Sequence, residues 1–396
     1  MLPRSLKTTL LLGLLLLVTS HAVNAQVDEQ RQRAFQLFRE AKYVEALPLF
    51  EKLAVAYPQD REVIEAYGIV VVSQAVYLKD EGARKQARVR GREILLRAQQ
   101  LGANSALLKW MLEQVVPANG ADISFSNKKE IDDAMREGEA AFASGNHAKA
   151  LELYQRALLL DPTLYEAALF TGDVYFATGE QQKATEWFAR TTEIDPNRET
   201  AYRYWGDSLM KQGRVTEAGE KFVEAYIAEP YNRLARAAFT NWGQRVNINL
   251  AHPKVEVPAN VGRKNPNETT ITLDPNLFKK SDDKGAGAAW LTYSLSRTTW
   301  QTEFTKHYPN EKTYRHSLNE EAQAFRDALK QLDKAEGDAS LQVLKKLEKE
   351  GLLEAFILLA LPDDGIAQDF PAYRKTNIEN LRRYVKEYVL KGGGNQ

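Results

Sequence analysis

Residues 131–232 read IDDAMREGEAAFASGNHAKALELYQRALLLDPTL (Ile131–Leu164), YEAALFTGDVYFATGEQQKATEWFARTTEIDPNR (Tyr165–Arg198) and ETAYRYWGDSLMKQGRVTEAGEKFVEAYIAEPYN (Glu199–Asn232). Written one above another, the three blocks align without a gap. Gly138, Gly172 and Gly206 share a column, as do Ala150, Ala184 and Ala218, then Tyr154, Phe188 and Phe222, then Pro162, Pro196 and Pro230. The first block predicts one helix over Ile131–Ser144 and a second over His147–Leu160. Gly145-Asn146 should make the turn, because both residue types tolerate positive φ. Gly138 and Ala150 offer almost no side chain, so the two helices can approach closely there. Tyr154 and Ala157 should fill the space against the next block, and Asp161-Pro162 ends the second helix because proline cannot donate the helical bond. Each block leaves an apolar face open, so the blocks must stack and the stack must be capped. Arg233–Val246, with Leu234, Ala237, Ala238 and Trp242 at helical spacing, is the expected cap.

A 34-residue period with small, aromatic and proline positions in this order resembles the tetratricopeptide repeat. A wider resemblance covers most of the chain. The stretches FSNKKEIDDAMREGEAAFASG, ETAYRYWGDSLMKQG, EPYNRLAR and PNEKTYRHSL are similar to a group of exported bacterial tetratricopeptide proteins with a helical C-terminal extension and no assigned activity. The resemblance implies an all-α fold, an α-solenoid of helix pairs, and a scaffold that binds protein or peptide ligands. In that family, positions 2, 5, 9 and 12 of the first helix of each repeat line the concave groove. Carried onto this sequence they are Asp132, Met135, Glu139 and Phe142, then Glu166, Leu169, Asp173 and Phe176, then Thr200, Arg203, Asp207 and Met210. An acidic ladder (Glu139, Asp173, Asp207) would run beside an apolar one (Phe142, Phe176, Met210). The family's basic clamp for a C-terminal carboxylate is absent. The implied ligand is an extended or helical peptide with apolar anchors and basic residues. The alternative is that these carboxylates only solvate the face.

Toward the N-terminus, Arg4 and Lys7 precede an apolar run, Leu10–Val18, too short for the ~20 residues a bilayer span needs. Val23-Asn24-Ala25 presents small residues where signal peptidase reads them. Export with cleavage after Ala25 is therefore expected, to a periplasmic or secreted location and with no stable membrane anchor. Lys+Arg and Asp+Glu are both 53, so no basic excess points to nucleic acid. The chain has no cysteine, which excludes disulfides, thiolate metal sites and a cysteine nucleophile. Ala34, Ala46, Phe50 and Pro58 fit a divergent repeat. A second begins near Arg61, its second helix delayed to about Gly91–Leu101 by an insert carrying Arg84, Lys85, Arg88, Arg90 and Arg92. Arg84, Arg88 and Arg92 share one helix face. That face is read as solvated, with a phosphate-binding patch as the alternative. Ser105–Val116 reads as a lone helix and residues 117–130 as a linker.

Beyond Leu250 the period is lost. Lys254–Val257 and Thr269–Leu273 alternate like strands of a small β-hairpin, with Asn260–Asn267 between them. Helices are expected over Ala288–His307, after the Ser317-x-x-Glu320 capping box, around Leu341–Leu347, over the apolar Leu352–Leu361, and over the basic Tyr373–Leu390. The expected organisation is a signal peptide (1–25), a divergent repeat block (26–116), a linker (117–130), three repeats with a cap (131–250), hairpin and linker (251–287), and a helical domain (288–396). No HExxH, GxSxG or phosphate-loop pattern occurs, so no cofactor and no enzymatic activity are expected. The competing reading is an envelope enzyme or metal site near His307, His316 and Glu320. The basic helix is also a candidate internal ligand for the repeats. Nothing in the sequence fixes the oligomeric state.

Overall fold

The computed structural model describes residues 29–40, 42–78, 80–120, 124–265, 268–278, 286–331 and 338–391. The expected signal peptide and its cleavage point and most of residues 279–287 lie outside the described residues. The fold is an all-α solenoid of helix pairs with one two-stranded hairpin. The chain divides into two compact units, Met1–Val174 and Tyr175–Gln396. The division falls inside a helix and not in the 117–130 stretch or after residue 250.

The first unit begins with α1 (29–39), α2 (Tyr43–Ala56), α3 (Arg61–Gln74) and α4 (Glu81–Gln100). Phe50, Leu53, Val63 and Val70 form the core of the α1–α3 group. Two glycines let α3 and α4 cross closely. A Cβ on Gly68 would sit 2.8 Å from Leu95, and one on Gly91 would sit 2.4 Å from Val72. The expected insert is therefore no insert: its arginines lie within the first twelve residues of one 20-residue helix, opened by Asp80, whose carboxylate accepts the Ala83 N–H at 2.7 Å. The solvated-face expectation is also corrected. Arg88 is buried and donates to the Val115 carbonyl, Arg92 donates to the Leu112 and Val116 carbonyls at 2.7 and 2.5 Å, and Arg84 donates to the Leu78 carbonyl. The Val115, Leu112 and Val116 carbonyls end α5 (Ala106–Trp110), which runs into a π turn over Met111–Val115. Carbonyls left open at a helix end attract cations, and the periodicity of α4 alone cannot reveal an acceptor twenty-odd residues away.

Next come α6 (Lys129–Ala143), α7 (His147–Leu160) and α8 (Tyr165–Ala177). Gly145 takes φ +78°, while Asn146 stays at −84° and caps α7 by accepting the Lys149 N–H, so only one of the two turn residues uses the left-handed region. Tyr154 lies across Gly138, where a Cβ would be 2.4 Å from its ring, and also meets Phe170 of α8 at 5.6 Å. The glycine column thus makes room for an aromatic ring of its own repeat.

The second unit holds α9 (Gln181–Ile194), α10 (Glu199–Lys211), α11 (Val215–Ala228) and α12 (Arg233–Arg245), then β1 (Ala259–Asn265) and β2 (Glu268–Leu273). It closes with α13 (Ala286–His307), α14 (Leu318–Leu329), α15 (Ala339–Lys349), α16 (Leu353–Ala360) and α17 (Phe370–Tyr384). Gly206 repeats the arrangement of Gly138, with Phe222 over it at 2.6 Å, and Trp242 of the cap helix packs on Gly219. β1 begins later than expected. Ala259 pairs with Leu273 and Val261 with Ile271, while Val255 and Val257 pack against the helical core instead of joining a ladder. The hairpin rests on α13, and Thr269 donates to Gln301 at 3.2 Å.

One core joins Phe222, Tyr226, Phe239 and Trp242 of the last helices of the repeats to Trp290, Phe325, Phe356 and Tyr384 of the extension. Tyr231 donates to the Leu358 carbonyl at 2.9 Å. Arg382 makes a two-pronged ion pair with Glu224 at 2.8 Å on each arm. Arg374 donates to the Ile227 and Pro196 carbonyls at 3.1 and 2.7 Å. The basic helix α17 packs on α11 and the Pro196-Asn197 turn and not in the groove where an internal ligand was expected.

Candidate functional site

In the first unit, Asp132 stands in the first turn of α6, accepts the Phe125 N–H at 2.8 Å and pairs with Arg136 at 2.7 Å. Burial pushes its carboxyl up, but the Arg136 and Phe125 contacts outweigh burial and hold it below the ordinary value. Met135 is fully buried and Leu169 nearly so. These two do not line a groove: an apolar side chain one turn from the glycine column fits the interhelical core better than solvent. Glu139 is half-buried and accepts the Tyr154 hydroxyl, which reaches it by crossing Gly138. Burial pushes the Glu139 carboxyl up, partly countered by that hydroxyl. Phe142 is half-buried and packs edge-on against His147 at 5.4 Å. The His147 Nδ1 is buried and makes no hydrogen bond among the described residues. Glu166 and Asp173 are half-buried on α8, and Asp173 lies close enough to Tyr154 to help push its hydroxyl pKa up.

In the second unit, Phe176 and the α10 residues Arg203, Asp207 and Met210 are half-buried. Here Asp207 of the expected acidic ladder has a cation one turn away on either side, Arg203 and Lys211. Arg203 is held at 2.8 and 3.1 Å by the buried Glu199 and lies 4.6 Å over the Tyr204 ring. Lys211, one turn beyond Asp207, places its ammonium 4.0 Å over the Phe176 ring. Asp207 makes no hydrogen bond or ion pair among the described residues; burial pushes its carboxyl up, and Arg203 pulls it back. The cation over Phe176 was missed from sequence, although Lys211 at i+4 from Asp207 is a legible signal. Also missed was a polar seam between α9 and α10, where Thr185, Ser208 and Gln212 bond one another at 2.9–3.4 Å. α17 contacts none of Arg203, Asp207 or Met210 through a hydrogen bond or ion pair among the described residues.

The alternative constellation does not assemble. The His307 ring stacks on Trp300 at 3.7 Å. His316 gives Nδ1–H to Asp363 at 2.5 Å and Nε2–H to Glu321 at 2.9 Å. Glu321 also accepts Tyr293, and the fully buried Glu320 accepts Arg297 at 3.0 Å and Tyr314 at 2.9 Å. Glu320 fills only half of the expected capping box: the Ser317 hydroxyl accepts its N–H, while its carboxylate turns inward to Arg297. Among the described residues no group of three His, Asp or Glu has the geometry to hold a metal ion.

The tetratricopeptide-repeat family model matches residues 135–199. No protein of curated function matches the sequence. Among solved structures, the Sgt2 tetratricopeptide domain of Aspergillus fumigatus is 23% identical with a TM-score of 0.29, over 32% of this chain and 85% of that one. The Arabidopsis OM64 domain is 22% identical, TM-score 0.28, over 30% and 99%. YrrB, described as having an unusual peptide-binding site, is 20% identical, TM-score 0.26, over 52% and 88%.

Proposed function

We propose that this chain, a tetratricopeptide-repeat protein by its match over residues 135–199, is an exported, non-enzymatic scaffold that binds a peptide segment of a partner protein on the helix faces carrying Phe176, Arg203, Asp207 and Met210. Asp207 carries this reading. A half-buried carboxylate without a donor, beside an aromatic ring and a methionine, is costly to keep unless a ligand donor meets it. Arg203 and Lys211 are already engaged by Glu199 and by the Phe176 ring, so they do not compete for a ligand. The ligand would set apolar anchors against Phe176 and Met210 and a lysine or arginine near Asp207. Anchors in desolvated pockets carry most of the affinity, and exposed charges add selectivity and on-rate.

The export part of the proposal rests on the short apolar run and the Val23-Asn24-Ala25 site. Among the described residues no helix is long and apolar enough to cross a membrane.

The test is a titration of peptides selected from a random library on the full-length chain. Phe176→Ala should weaken binding by roughly tenfold or more, and Asp207→Asn by at most about fivefold. Higher salt should slow association more than it speeds dissociation. Selected peptides that are acidic, or that bind both variants as well as the parent, count against the reading.

A further inference from the structure

Within the first unit, a cleft of about 840 Å³ lies between the α3–α5 helices and the α6–α7 pair. Its size falls in the range of roughly 300–1,000 Å³ usual for ligand pockets. Val72, Val76, Tyr77, Trp110 and Met111 supply much of its surface. Three of these are large yet exposed: Trp110 at 54%, Val76 at 42% and Tyr77 at 38%. Scattered exposed apolar side chains need no explanation, but an exposed tryptophan and tyrosine gathered in one concavity mark an interaction site. The fold explains why the cleft stays open. α4 is drawn onto α3 by Gly68 and Gly91, and Arg88 and Arg92 hold the end of the π turn after α5. One edge of α6 is thereby left facing the cleft. A π turn is itself a rare feature concentrated at functional sites, and this one begins directly after Trp110.

Charge narrows the ligand. The cations on the walls are engaged: Arg84 and Arg88 by backbone carbonyls, Arg136 by Asp132, Lys149 by Glu152. Asp133 is paired with Lys129. Glu137 makes no hydrogen bond or ion pair among the described residues, and Glu139 has only the Tyr154 hydroxyl. Arg84 and Arg88 keep their charge against neutral carbonyls, so the acceptor left open to a ligand's lysine or arginine is Glu137.

We propose that this cleft is a second docking site, for a partner peptide that places an aromatic or aliphatic pair against Trp110 and Tyr77 and one lysine or arginine toward Glu137. It does not depend on the α10 face.

The experiment pans a library of short random peptides on the full chain and measures Kd for the recovered peptides by fluorescence polarisation. The proteins compared are the parent, Trp110→Ala, Tyr77→Ser, Glu137→Lys and Phe176→Ala. At least one basic, aromatic-containing peptide should lose about tenfold or more in affinity on Trp110→Ala, lose affinity on Glu137→Lys, and be indifferent to Phe176→Ala. Trp110 is surface-exposed, so its removal should leave the melting temperature unchanged; if it does not, Tyr77→Ser decides. Peptides that all ignore the Trp110, Tyr77 and Glu137 changes overturn the proposal, whether or not Phe176→Ala affects them. So does a dimer that Trp110→Ala disperses, because the cleft would then take a second copy of this chain.

Discussion

The charge state of His316 should control the stability of the C-terminal helices in mildly alkaline solution. Both ring nitrogens face carboxylate oxygens, Asp363 at 2.5 Å and Glu321 at 2.9 Å, so the ring must carry both protons to satisfy them. Burial lowers the imidazolium's pKa, but the two carboxylates outweigh burial, and the group is pushed up to about 9 from 6.5. A group whose pKa is raised by folding contributes stability that is fully present below its unfolded pKa and is lost as pH rises through the folded one. The window is therefore about pH 6.5 to 9, and the shift corresponds to roughly 3 kcal/mol. Other groups near the ring hold their charge in this window: Arg297 is pushed up and Asp363 is held below the ordinary value, where burial is outweighed by His316 and the Ile366 and Gly365 N–H groups. His252, pushed down to about 4 by burial, is neutral in the folded state there, and its contribution is common to parent and variant and cancels in their difference. His316→Gln keeps a donor of similar shape and removes the charge. Breaking a buried pair costs about 3–5 kcal/mol, so the variant should be less stable than the parent by about 3 kcal/mol near pH 6 and by much less above pH 9. Urea unfolding followed by near-ultraviolet circular dichroism reads the packing around Trp290 in the same core. A parent-minus-variant difference that stays constant from pH 6 to 9.5 would refute the reasoning.

Three further outcomes follow from the packing. A chain ending at Leu250 should aggregate or melt well below the full protein, because Tyr226, Phe239 and Trp242 share one core with the extension; a monomer with an unchanged melt contradicts the shared core. Gly219→Ala should lower stability by about 1–2 kcal/mol, since the added Cβ would stand 2.0 Å from the Trp242 ring and overpacking costs more than the ~1 kcal/mol gained in helix propensity; calorimetry would register the opposite sign if the indole can move freely. Export as proposed predicts a mature chain that begins at Gln26, and intact-mass spectrometry that finds Met1 retained removes the signal-peptide reading.

What was legible in the sequence was whatever obeys a local period. The column Gly138, Gly172, Gly206 announced close helix contacts, and Tyr154 over Gly138 and Phe222 over Gly206 realise them. Periods say which residues share a helix face, but not what lies opposite. For that reason Arg84, Arg88 and Arg92 read as solvated, while Arg88 and Arg92 in fact tie down the carbonyls of a helix end distant in sequence. Met135 and Leu169 fell on expected groove positions yet point into the core, because a family register assigns positions and not burial. His307 and His316 are near in sequence, but Trp300 takes one ring and Asp363 with Glu321 the other. Strand β1 was placed too early because Val255 and Val257 alternate as a strand does, although their partners are helices.

The core that joins repeats and extension also sets an order of events during folding. Tyr231 meets the Leu358 carbonyl across 127 residues, and Arg374 meets that of Pro196 across 178. Ala251 donates its N–H to the Val389 carbonyl, seven residues from the end of the chain as given. Contacts so distant in sequence close slowly, because loop entropy must be lost before they form. The third repeat can therefore fold locally but cannot seal its far side until the helices through Val389 have been synthesised. Until those helices arrive, the apolar face around Tyr226 and Phe239 has nothing to cover it.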